Sequence, residues 1–227
     1  MHIGLIPDGN RRYMRKVGIK DIKSAYRMGI DKFYDFLEWC IDLNVKELTI
    51  YTLSIENIER RSNFELNSLL RIFRERTINA MNDERIHGNR IHVKICGDIE
   101  YLRKLSDTAN ELVDSLERLG ESTKHYNDFT LNLAIAYGGR QEIVNAVRRV
   151  IENGLELNEE NIVRNLWIRN YPDIIIRTAE SRLSNFLLWQ SAYSEIYFVN
   201  KLWQEIEKDD LINIINDFNT RERRFGK

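Results

Sequence analysis

Six short runs rich in aliphatic and β-branched residues recur along the chain, at residues 3–6, 48–52, 91–96, 131–136, 173–177 and 195–199. Between them lie stretches with helical periodicity. Residues 30–43 place Phe33, Phe36, Leu37, Cys40 and Ile41 at spacings of three and four, which makes one apolar face. Leu66, Leu69, Leu70, Phe73 and Ile78 nearly repeat that pattern. Further helices are expected at 101–119, 140–152, 160–167 and 208–219. Parallel neighbours need a crossover connection, usually a helix. The alternation therefore predicts an α/β fold: a single parallel-type central sheet of about six strands with helices on both faces. Only two prolines, Pro7 and Pro172, and no repeat or low-complexity tract leave little room for a linker, so residues 1–227 read as one domain.

Composition narrows the function. The formal net charge is −1, whereas proteins that neutralise many phosphates carry a clear positive excess, so nucleic acid is not the expected partner. Any basic site must be local. Cys40 and Cys96 both sit in apolar segments and read as small core residues. His2, His87, His92 and His125 are isolated, and no transition-metal spacing or P-loop motif occurs. No signal-peptide pattern precedes Ile3, and no apolar run approaches the roughly 20 residues that span a bilayer. A cytoplasmic protein is expected, with any membrane contact peripheral.

In open parallel sheets, ligands bind beyond the carboxyl ends of the strands. Here those ends read PDGNRR, LSIENIERR, CGD, AYGGR and RTAESR. Asp8-Gly9-Asn10 also suits a plain turn, but five such loops would gather on one edge. Arg11, Arg12, Arg60, Arg177 and Arg182 supply guanidinium forks that match phosphate oxygens. Gly9 and the pair Gly138-Gly139 can let backbone amides approach an anion. Asp8 would repel phosphate unless it pairs with an arginine or a divalent ion intervenes; Mg²⁺ typically uses one or two carboxylates plus phosphate oxygens. Glu195 is a possible second acid. The long apolar helix faces suit either an ordinary core or a hydrocarbon tail behind a diphosphate head. On these residues alone, a phosphate-binding hydrolase of flavodoxin-like architecture is the leading alternative.

The segments PDGNRRY, LSIENIERR, LNLAIAYGGRQEI, DIIIRT, RLSNFLLWQSAYSEIYF and RERRFGK together resemble the cis-prenyltransferases, the undecaprenyl diphosphate synthase family, over almost the whole chain. The resemblance implies an enzyme that joins isopentenyl diphosphate to an allylic prenyl diphosphate with Mg²⁺, in a fold whose helices and sheet border a hydrophobic tunnel. It implies Asp8, Asn57 and Arg60 as catalytic residues. Gly9, Asn10, Arg11, Arg12, Tyr13, Lys23, Tyr26, Ser54, Ile55 and Glu56 would hold the allylic diphosphate. Arg177, Arg182, Leu183 and Ser184 would hold isopentenyl diphosphate, joined by Arg224 and Gly226 of the terminal motif from a neighbouring subunit. Asp8 and Glu195 would be the metal positions. A homodimer with sites completed across the interface is thus implied, as is peripheral membrane contact through a lipid product.

The chain departs from the family pattern in three places. Ala25-Tyr26 replaces the usual Gly-His. The usual Thr-Gly-Gly-Glu-x-Arg is shortened to residues 178–182. Ile58 replaces an aromatic, and Arg60-Arg61 replaces Arg-Pro. The shortened loop raises the alternative of irregular condensation with dimethylallyl diphosphate as acceptor; a further alternative is a non-catalytic subunit of a heteromeric enzyme. Phe33, Phe73 and Phe129 suggest a modest tunnel.

Overall fold

Six strands form the sheet of the computed structural model, which describes residues 1–221. They are β1 (His2–Ile6), β2 (Glu47–Ser54), β3 (Ile91–Cys96), β4 (Phe129–Tyr137), β5 (Ile174–Thr178) and β6 (Glu195–Val199). All pair in parallel, in the order β3-β4-β2-β1-β5-β6. The helices are α1 (Asn10–Lys16), α2 (Ile22–Asp42), α3 (Ile55–Arg60), α4 (Asn63–Ala80), α5 (Glu84–His87), α6 (Ile99–Arg103), α7 (Asp107–Thr123), α8 (Gly139–Glu152), α9 (Glu159–Asn165) and α10 (Lys208–Thr220). The expected α/β sheet with helices on both faces is what forms.

Local chemistry sets the boundaries. The Asp21 carboxylate accepts hydrogen bonds from the Lys23 and Ser24 amides at 3.2 and 3.0 Å and starts α2 earlier than its apolar stripe suggests. Residues 101–119, expected as one helix, form α6 and α7. Ser106 breaks the run: its backbone is extended and its hydroxyl accepts the Ala109 amide at 3.2 Å, a cap that competes with helical continuation. The short helices α1 and α3 carry charged residues on much of their surface, so no apolar period announces them.

The sheet alternates as a doubly covered sheet should. Ile3, Leu5, Ile174 and Ile176 face a core shared with Phe36, Leu37 and Cys40 of α2 and Leu211 and Ile214 of α10. Ile6 and Ile175 face the opposite side, where Tyr137, Ile168, Phe186 and Leu187 pack. Cys40 and Cys96 are free, buried thiols, and burial pushes the Cys96 thiol up to about 12. No helix among the described residues is long and apolar enough to cross a membrane.

The topology points to one edge. From β1 the chain moves to β2 on one side; from β4 it crosses back to β5 on the other side of β1. The connections leaving β1 and β5 therefore run in opposite directions, which opens a crevice beyond their carboxyl ends.

Candidate active site

Asp8 and Arg177 meet at that crevice. The register pairs Ile6 with Arg177, so the residues that follow β1 lie beside the end of β5. Arg177 Nη2 donates to Asp8 Oδ2 at 2.8 Å. Thr178 Oγ1 accepts the Asp8 amide at 2.8 Å and donates to the Asp8 carbonyl at 2.7 Å. The Arg177 side chain is 3% exposed, that of Asp8 38%. Gly9 follows at φ 108°, and a Cβ there would lie 2.9 Å from Leu202 Cδ2. Only glycine fits that combination of positive φ and close packing. Its amide donates to Asp8 Oδ1 at 2.6 Å.

The loop after β5 is held under strain. Ala179, Ser184, Asn185 and Leu187 all have positive φ, at 68°, 49°, 65° and 45°, each a cost that surrounding contacts must offset. Arg177 Nη1 donates to Ser184 Oγ at 2.5 Å and to the Arg182 carbonyl. Asn185 Nδ2 donates to Glu56 Oε1 at 2.6 Å and to Gln141 Oε1 at 3.0 Å. Glu180 takes Arg12 at 2.9 Å on one oxygen and Arg182 at 2.6 Å on the other. One carboxylate thus spaces two guanidiniums on a shared rim.

Behind the rim a cavity of about 1000 Å³ opens. Its polar mouth includes Asp8, Asn10, Arg12, Asn57, Arg60 and Arg182. Asn57 and Arg60 are exposed on α3, and Arg60 makes no ion pair with the described residues. Ser54 caps α3, its hydroxyl accepting the Asn57 amide at 3.0 Å, which fixes the orientation of that helix. Deeper, the wall becomes apolar: Ile30 and Phe33 from α2, Leu69 and Phe73 from α4, Leu119 from α7 and Leu131 from β4. Ser54 pairs with Tyr137 and Leu48 with Leu131, so the cavity descends about 20 Å along the strands. A diphosphate-sized cationic rim above an apolar shaft suits an amphiphile whose head is phosphorylated.

The comparisons agree with that chemistry. Residues 6–226 match the family model described as "Putative undecaprenyl diphosphate synthase". The chain belongs to the undecaprenyl diphosphate synthase family, the cis-prenyltransferases. It is 41% identical over 235 residues to a tritrans,polycis-undecaprenyl-diphosphate synthase (geranylgeranyl-diphosphate specific) of Pyrobaculum aerophilum, covering 100% of this chain and 95% of that one. Among solved structures it resembles a probable undecaprenyl diphosphate synthase of Campylobacter jejuni, at 33% identity and TM-score 0.82. Lavandulyl diphosphate synthase of Lavandula x intermedia, solved with dimethylallyl diphosphate, gives 28% identity and TM-score 0.89. Both structural matches cover 100% of this chain and 98% of the other. The chain is accordingly a prenyltransferase of the cis type.

Several expected cis-prenyltransferase site residues lie away from the cavity. Glu195 begins β6 at the amino edge, paired with Ile174, and binds Arg221 at 3.0 Å. Asp8 lies beyond the carboxyl edge, so a metal site built from Asp8 and Glu195 of one chain is corrected: the parallel register separates them by the length of a strand. Lys23 is exposed on the first turn of α2, and Tyr13 of α1 does not line the cavity. Ile55 is buried in the core, and Leu183 packs with Phe186 and Leu187 behind the loop. Phe129 is likewise core, 3% exposed, rather than tunnel wall. Gly139 does not offer its amide to an anion. The Gly139 amide donates to the Asn185 carbonyl at 2.7 Å, and a Cβ on Gly139 would sit 2.9 Å from Leu188 Cγ. Arg224 and Gly226 lie outside the described residues.

Sequence reasoning missed Thr178, Asn185, Glu65 and the bridging role of Glu180. Tyr26 lines the cavity but turns its hydroxyl to Glu65 Oε1 at 2.6 Å. Arg11 donates to the same carboxylate. The signal for Glu65 was available only as an acid one turn into α4; nothing local marks it as the acceptor for residues from α1 and α2.

Proposed function

We propose that the chain binds an allylic prenyl diphosphate with its tail in the shaft and its head against Arg11, Arg12 and the α3 residues Asn57 and Arg60. Isopentenyl diphosphate then takes Arg177, Arg182 and Ser184. The observation that carries this reading is the Asp8–Arg177 pair at the β1–β5 crevice, opening onto both the cationic rim and the apolar shaft. During reaction the allylic carbon–oxygen bond breaks, its electron pair leaving with diphosphate. The isopentenyl double bond forms the new carbon–carbon bond, and a proton is lost from the adjoining carbon. Preorganised guanidiniums stabilise the departing anion more than the bound ester. Each prenyl unit added to the shaft gains about 0.8 kcal/mol per buried methylene-sized group.

Asp8 suits Mg²⁺. Among the described residues its carboxylate accepts from Gly9 and Arg177 only, out of about four acceptor positions, and it is partly exposed to the cavity. Among the described residues no three His, Cys, Asp or Glu side chains gather as a metal cluster, so the remaining positions would come from diphosphate oxygens and water. When bound, the ion neutralises charge on the leaving diphosphate.

A homodimer is part of the proposal. β6 is an edge strand with Ile196 and Phe198 exposed at 38% and 44%, a surface that soluble proteins cover. Arg221, the last described residue, binds Glu195 on that strand.

The test is turnover by the purified chain with Mg²⁺, labelled isopentenyl diphosphate and an allylic primer, geranylgeranyl diphosphate first because the Pyrobaculum relative is named for it. Chromatography of the dephosphorylated products should give linear cis-prenyl alcohols. No coupling, with hydrolysis of a monophosphate ester instead, overturns the reading. The likeness to lavandulyl diphosphate synthase and the shortened 178–182 loop favour a second reading, in which dimethylallyl diphosphate is the acceptor; branched products from labelled dimethylallyl diphosphate would select it.

A further inference from the structure

Two of the departures from the family pattern, Tyr26 for histidine and Arg61 for proline, meet in space. The Arg61 guanidinium carbon lies 5.4 Å from the centre of the Tyr26 ring, within cation–π range. Arg61 Nε stands 3.8 Å from Glu65 Oε1, the atom that also receives the Tyr26 hydroxyl and Arg11. Arg61 lines the cavity beside Tyr26, Arg11 and Arg60. Its Nη1 is buried without a hydrogen-bond partner among the described residues. A guanidinium half withdrawn from water, with one donor idle at the wall of an anion site, carries an unmet hydrogen bond. Burial also holds its pKa below the ordinary arginine value, a penalty on the charged form that pairing with an anion would offset.

The geometry points to Arg61 as a binding residue for the allylic diphosphate, seated on the Tyr26 ring and oriented by Glu65. Tyr26 then serves as a platform rather than as a phosphate donor, because its hydroxyl is committed to Glu65. The cation that an imidazole at position 26 would have supplied comes instead from the next motif, at the end of the following helix, α3. Arginine suits this role, since its planar fork both stacks on an aromatic face and grips phosphate. This inference rests on the prenyltransferase reading for the identity of the anion.

Two measurements on the full chain test it: steady-state KM for each substrate, and calorimetric titration with inorganic diphosphate and Mg²⁺. Arg61→Ala should raise the KM of the allylic diphosphate by about 10- to 100-fold, the factor expected for one charge-assisted hydrogen bond. Inorganic diphosphate should weaken in parallel, and the KM of isopentenyl diphosphate should stay as it is. Arg61→Lys should fall between, keeping the charge but not the fork. Tyr26→Ala should follow Arg61→Ala, and the double variant should be no worse than Arg61→Ala alone, because the two act through one contact. An allylic KM unchanged in Arg61→Lys and Arg61→Ala, alongside a lowered melting temperature, would make Arg61 a latch between helices and overturn the proposal. So would an equal rise in both KM values. If wild type couples no prenyl groups, the functional reading fails, while the diphosphate titration still decides the role of Arg61.

Discussion

Removing the Asp8 carboxylate should have two opposite effects, both set by Arg177. Arg177 is almost fully buried and Asp8 is its sole carboxylate partner among the described residues. Breaking a buried ion pair costs about 3–5 kcal/mol, but more than a third of the Asp8 side chain is exposed and Arg177 keeps Ser184 and the Arg182 carbonyl. With that screening, Asp8→Ala should lose about 1–2 kcal/mol, or roughly 2–8 °C in Tm for a chain of this size. Diphosphate affinity should move the other way when metal is withheld. Two anions sharing one guanidinium sit about 5 Å apart, and their repulsion at an effective dielectric constant of 20 is about 3 kcal/mol. Halving this for solvent exposure leaves roughly 1.5 kcal/mol, so Asp8→Ala should bind metal-free inorganic diphosphate about tenfold more tightly. Calorimetry in chelator and then in Mg²⁺ reads both states. Wild type should gain affinity on adding Mg²⁺, the variant should gain little, and its prenyl coupling should collapse. Identical Mg²⁺ dependence in the two proteins, with coupling at the wild-type rate, refutes the assignment of Asp8.

Three further outcomes are expected. Leu119→Ala, deep in the shaft wall, should lengthen the prenyl product seen by chromatography; an unchanged length would mean that this part of the shaft does not limit growth. Phe198→Glu on the exposed β6 edge should sediment as a monomer and lose coupling, whereas a variant that stays dimeric would place the interface elsewhere. His2 is buried against Thr49 at 2.8 Å, and burial lowers its pKa despite nearby Glu47. The unfolded chain therefore takes up a proton first as pH falls through about 6.5, so this contribution to stability is complete above that value and is lost below it. Tm measured from pH 8 to 5 should drop more in wild type than in His2→Gln; parallel curves would dismiss the linkage.

The six strands and most long helices were legible because their causes are local. Three consecutive β-branched isoleucines make DIIIR read as a strand buried on both faces, and the stripe through Phe33, Leu37 and Ile41 gives α2 its apolar face. The rule that ligands gather at carboxyl ends then located Asp8, Arg12, Arg60, Arg177 and Arg182 on one rim without knowledge of the strand order. Two readings did not hold within one chain. Glu195 opens its strand instead of closing it, so the parallel register carries it to the opposite edge. Gly138 and Gly139 had the composition of an anion cradle, yet their missing side chains admit Asn185 and Leu188.

From the sequence alone came the alternating α/β order, the family segments and the type of charge at each strand end. Only the folded chain decided which charges share a partner. Asp8 and Arg177 are 169 residues apart in sequence and 2.8 Å apart in space. Glu65 unites α1, α2 and α4, and Arg61 finds the Tyr26 ring. Propensity and periodicity act over a few neighbouring residues, whereas such meetings follow from strand order and helix packing across the whole chain.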